Sequence, residues 1–295
     1  MGEGALTRRA LATAAAAATG IQVGSAMVAT RFVVDQTGPA SLALLRYAIG
    51  FLCLLPVAIA LPRPKFAARD VVPIALLGIT QFGILIALLN YGLRFVPSAR
   101  AALIFATMPL LTMLLAAALG HERLGACKAA GVLLTIAGVG LALGEKALGA
   151  DGGAHGWIGE AAIFASALSG ALCSVLYRPY VRRYPTVPVS AFAMLASVAF
   201  LAVLAARENF FAAWPSLTSR GWAAVVFIGL SSGVGYFLWL WALGNAPATD
   251  VTVFLALSPF TAAALGALLL AESVSTAALV GLVCVGFGLW LAHRR

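Results

Sequence analysis

Gln22, Gln81, Asn90, Tyr177, Ser232, Tyr236 and Trp239 interrupt long apolar runs with groups that can hold a small molecule. Side-chain amides both donate and accept hydrogen bonds. That suits the ammonium and the carboxylate of a zwitterion. Tyrosine and tryptophan rings stack on apolar or aromatic groups and receive cations. The same residue types also join helices, because membrane Gln and Asn often bond across a helix interface. Gln81 leads the set because it falls near the middle of its run. Arg46 is the one charge deep in a run. It either binds a solute carboxylate or snorkels to the nearby membrane surface, and the second reading is the favoured one.

Other chemistries find less support. No Asp or Glu falls in the middle of an apolar run, so a carboxylate proton relay is not expected. Glu122 and Glu272 fall at run ends and read as helix caps or loop partners. "GLSSG" at 229–233 matches G-x-S-x-G, but His121, His155 and His293 all fall at run ends or in loops, so no base accompanies the serine. An enzyme is therefore not expected. Cys53, Cys127, Cys173 and Cys284 are scattered without metal-ligand spacing. No Walker A pattern occurs. No cofactor and no metal are expected.

Long helices must position these residues. Apolar residues form 62% of the chain and charged residues 10%, far less charge than a soluble surface carries. The apolar runs reach about 20 residues, the length that crosses a bilayer. The expected fold is an all-α integral membrane protein with ten transmembrane helices, at roughly 10–31, 40–61, 71–93, 98–120, 124–144, 157–178, 187–206, 221–244, 249–270 and 275–292. The opening "TRRALATAAAAATG" runs on to about Val34 and suits a first span better than a cleaved signal.

The net charge of +9 does not point to nucleic acid, because the basic residues lie in the gaps between runs. With the N-terminus inside, cytoplasmic segments hold 12 Lys and Arg and outer segments hold 6. That bias places both termini in the cytoplasm.

The chain also repeats itself. A shift of 150 residues lays Pro97 on Pro247, Pro109 on Pro259, Glu122 on Glu272, Gly131 on Gly281 and Gly138 on Gly288. Two five-helix units follow, 1–148 and 149–295. Five is odd, so the second copy starts on the opposite side of the membrane. Inverted repeats of this kind enclose the central cavities of secondary transporters. Pro109 and Pro259 occupy equivalent helices. Each either opens its helix toward the cavity, as a gating bend, or bends it for packing. The paired glycines permit close helix contact.

"MPLLTMLLAAALGHERLGACKAAGVLLTIAGVGLAL" (108–143) and its copy "SPFTAAALGALLLAESVSTAALVGLVCVGFGLWLA" (258–292) resemble the drug/metabolite transporter superfamily, in its ten-helix EamA-type branch. The general likeness is greatest to bacterial exporters of aromatic and other neutral amino acids. The resemblance implies a cavity lined by the first, third, fourth, sixth, eighth and ninth helices, with the fifth and tenth at the periphery. It implies alternating-access export of small organic solutes across the inner membrane. A passive facilitator, a pore, or an exporter of another metabolite or drug is the alternative. The expected partners are the solute and the lipid bilayer, with a monomer as the working unit.

Overall fold

Helices form wherever the apolar runs occur, because a chain in hydrocarbon must satisfy its backbone polar groups within each segment. The computed structural model describes residues 3–60, 66–120, 154–212, 215–272 and 274–293, with scattered helical positions between 130 and 141. The helices are α1 (Glu3–Val33), α2 (Pro39–Ala60), α3 (Ala68–Leu93), α4 (Ser98–Ala118), α5 (Trp157–Arg183), α6 (Thr186–Arg207), α7 (Ser219–Asn245), α8 (Asp250–Leu270) and α9 (Thr276–His293). Eight of them are long and apolar enough to cross a membrane. The ninth, α9, runs for 18 residues, Thr276–His293. Most of the fifth expected span, 124–144, lies outside the described residues. No strand occurs among the described residues.

Local chemistry sets several ends. Thr218 starts α7, its hydroxyl accepting the Gly221 N–H at 3.0 Å, one of the first N–H groups that a helix leaves orphaned. Pro97 precedes α4, and Ala246 and Pro247 separate α7 from α8. Four irregular segments interrupt the regular helices. A turn at Tyr177 divides α5. A π-helical stretch, Ile79–Ile84, lies inside α3. α4 breaks at Ala106 and Thr107, just before Pro109. α8 contains a 3-10 stretch, Val253–Ala256, before Pro259.

The packing has an exchange pattern. α1 packs on α7 and α8, while α5 packs on α3 and α4. α2 packs on α6 and α7, while α6 packs on α2 and α3. Each pair becomes the other when the two halves are swapped. Individual contacts follow the same 150-residue shift. A methyl group added at Gly83 would lie 2.7 Å from the Phe200 ring, and one at Gly233 would lie 3.0 Å from the Gly50 carbonyl. Gly83 and Gly233 are 150 residues apart, as are Gly50 and Phe200. The glycine pairs expected to permit close contact do so at Gly138, where an added methyl would meet the Gly281 carbonyl at 2.9 Å.

Phe82, Met27, Met108 and Tyr177 anchor the interior. Large apolar side chains cover the outside, among them Leu52, Ile59, Leu268 and Val283. Such a surface is costly in water and free of that cost in lipid.

Candidate functional site

A cavity lies among α1, α2, α3, α4, α7 and α8. Its free volume is about 70 Å³, room for a few waters or one compact group. Most of the wall is apolar, from residues such as Val23, Met27, Leu85, Leu89 and Leu255. Polar groups enter at a few points: Thr19, Gln22, Arg46, Gln81, Ser232 and the ring of Tyr236.

Gln81 reaches the wall from the π-helical stretch of α3. Such insertions shift the side-chain register and recur at functional sites. Its Oε1 is buried and has no hydrogen-bond partner among the described residues. As placed, the oxygen of this amide is unpaired at a residue that lines the cavity.

Gln22 comes from α1, where its Nε2 donates to Ser231 Oγ at 3.3 Å. Ser231 donates in turn to the Ile228 carbonyl at 3.1 Å. It therefore sits inside the regular helix α7. The sharp strand-to-helix turn that exposes a hydrolase serine is absent at this point of the chain, and the G-x-S-x-G match is helical sequence.

Ser232 stands on the wall beside Arg46, whose Nε donates to its hydroxyl at 2.6 Å. Arg46 is only 6% exposed. The snorkelling expectation is corrected here: the guanidinium turns inward to the central residue of α7. Ring packing holds this side of the wall. The Phe82 ring lies 3.9 Å from the Tyr236 ring and 4.7 Å from the Tyr47 ring. Trp239 completes the aromatic wall.

Two expected site residues stand elsewhere. Asn90 is fully buried and ties α3 to the start of α2, its Nδ2 donating to the Pro39 carbonyl at 2.9 Å. Tyr177 is buried behind the wall, near Tyr236. Neither lines the cavity. Thr19 and Tyr47 do line it. Both are ordinary helix-compatible residues, and nothing in their spacing marks them. Arg46 was visible as a buried charge, but its partner lies 186 residues away.

The breaks in α4 and α8 border this space. Phe105 and Met108 flank the α4 break and line the wall, and Leu255 of the 3-10 stretch does so from α8. Proline removes a helix hydrogen bond to the carbonyl four residues back. For Pro259 that carbonyl belongs to Leu255, and Ser258 Oγ donates to it at 2.7 Å.

The sequence matches a known family twice, at residues 10–144 and at 157–294. Both segments fit the EamA-like transporter family. The chain belongs to that family. This EamA-like transporter is 31% identical to a probable terminal-alkyne amino-acid exporter of Streptantibioticus cattleyicolor, over 92% of this chain and 89% of that protein. It is 24% identical to an uncharacterized transporter of Archaeoglobus fulgidus, over 92% of this chain and 95% of that one. It is 23% identical to the uncharacterized transporter YetK of Bacillus subtilis, over 91% and 82%. A solved crystal structure shares its fold, with a TM-score of 0.71 at 24% identity, over 96% of this chain and 95% of that one. The protein is a multi-pass membrane transporter of the EamA family.

Proposed function

We propose that this EamA-like transporter exports amino acids, aromatic or neutral ones foremost, across the bacterial inner membrane by alternating access. The carrying observation is the exchange pattern of helix contacts around a central cavity. Two halves that trade contacts when swapped are suited to two related states, one open to each side. In this reading ten helices form two inverted five-helix repeats. The basic residues keep both termini in the cytoplasm. The protein works as a monomer in the bilayer.

The amino-acid reading draws on the similarity to a probable amino-acid exporter and on the wall itself. Gln22, Gln81 and Ser232 supply the hydrogen-bonding groups, and Tyr236 and Trp239 supply rings for an apolar or aromatic side chain. Asn90 and Tyr177 act behind the wall in this scheme, as supports.

Purified protein in liposomes tests the reading with a panel of amino acids, nucleosides, sugars and cationic drugs. Saturable uptake of neutral amino acids, accelerated by solute preloaded on the opposite side, is expected. Flux that neither saturates nor shows this counterflow indicates a pore. Transport confined to another solute class overturns the substrate assignment.

A further inference from the structure

The Arg46 guanidinium has fewer partners than a buried cation needs. Its Nε is bound to Ser232 Oγ at 2.6 Å, and its central carbon lies 5.5 Å from the Tyr47 ring centroid. No carboxylate among the described residues pairs with it. The cavity wall itself contains no Asp or Glu. Arginine carries five N–H donors. One is used, and the terminal nitrogens make no hydrogen bond among the described residues. Ser232 is fixed in turn by donating to the Ile228 carbonyl. The guanidinium is thus held at one edge, with its fork free at the cavity.

The other half has no such charge at the matching position. The 150-residue shift carries Arg46 onto Ala196 and lays Ser232 on Phe82. The other half fills the equivalent positions with a methyl group and a ring. An isolated charge in the membrane interior is costly, and such residues mark solute and ion paths.

We propose that Arg46 is the carboxylate anchor of the cavity. The planar fork of a guanidinium matches the two oxygens of a carboxylate through charge-assisted bonds. The solute is then a monocarboxylate, here the zwitterion of an amino acid, with its ammonium group toward the unpaired amide of Gln81. Cationic amines are repelled by the same charge. This inference rests on the amino-acid reading above and sharpens it.

Four probes test it in liposomes: a neutral amino acid, its methyl ester, the corresponding decarboxylated amine, and the corresponding acid lacking the amine. Wild-type protein is expected to take the amino acid and to reject the ester and the amine. Arg46→Gln is expected to lose 10- to 100-fold in apparent affinity for the amino acid, the size of a charge-assisted hydrogen bond. Arg46→Lys retains charge without the fork and falls between. Ser232→Ala leaves the charge and frees its orientation, so it weakens affinity less than Arg46→Gln.

Thermal unfolding in detergent establishes that each variant is folded. If Arg46→Gln misfolds, the wild-type preference for acid over ester decides the question alone. Equal wild-type uptake of acid and ester overturns the anchor, as does unchanged affinity in folded Arg46→Gln. Transport of the amine-free acid but not of the amino acid leaves the anchor standing and removes the amino-acid reading.

Discussion

Ser41 gives both its backbone N–H, at 2.8 Å, and its hydroxyl, at 2.7 Å, to the Glu208 carboxylate. The Ala40 N–H joins them at 3.0 Å. A side chain at the end of α6 thereby caps the start of α2. Glu272 does the same for α4, accepting the backbone N–H and the hydroxyl of Ser98. The helix macrodipole favours a carboxylate at these N-termini. Each cap also bridges the two halves of the chain.

Removing one cap lowers stability without touching the cavity. Glu208→Ala is expected to cost about 1–2 kcal/mol, the range of a lost N-cap. The check is thermal unfolding in detergent, where the midpoint falls by a few degrees. An unchanged midpoint shows that water replaces the carboxylate at no cost.

Gln81→Leu removes the unpaired amide of the cavity wall while keeping its bulk. Transport of amino acids is expected to weaken, with normal amounts of folded protein in the membrane. Uptake kinetics in liposomes give the answer. Wild-type rates remove Gln81 from the site.

Pro109→Ala and Pro259→Ala restore the missing backbone donors beside the breaks in α4 and α8. Each is expected to straighten its helix and slow the exchange between states, with the double variant slowest. Counterflow rates measure this. Three wild-type rates assign both prolines to packing.

At Gly24 the close approach of α1 to α8 leaves no room for a side chain. A methyl there would lie 2.4 Å from the Ser258 carbonyl and 2.7 Å from Thr261 Cβ. Gly24→Val is expected to destabilise by about 1–3 kcal/mol, as overpacked interiors do. The unfolding midpoint reads the effect, and a value within error of wild type shows that the helices part freely.

Topology has its own measurement. Single cysteines at Arg123→Cys and Ser273→Cys follow the fourth and ninth expected spans. On the inverted arrangement they react with impermeant thiol reagents from opposite sides of the membrane. Reaction of both from one side removes the inversion.

Much of the architecture was legible because apolar length is a strong signal. The expected spans 187–206 and 221–244 meet α6 (Thr186–Arg207) and α7 (Ser219–Asn245) within two residues at each end. The π-helical stretch around Gln81 was not legible, since it depends on how α3 fits against α6 and leaves no mark in hydropathy. The site was legible in part. Gln22, Gln81, Ser232, Tyr236 and Trp239 meet at one cavity because they lie on helices that face each other. Asn90 has the same chemistry but a different facing: nine residues beyond Gln81, it meets the Pro39 carbonyl instead of the cavity. The inward turn of Arg46 is not legible, because distance along the sequence from the helix start says nothing of side-chain direction.

The mismatch of Arg46 with Ala196 makes the two copies unequal. A symmetric dimer of the first copy would carry two such guanidiniums, each opposite a phenylalanine where a hydroxyl now holds it. A dimer of the second copy would have none. With both copies in one polypeptide, this positive charge stands in one half alone, an asymmetry that no pair of identical subunits can make.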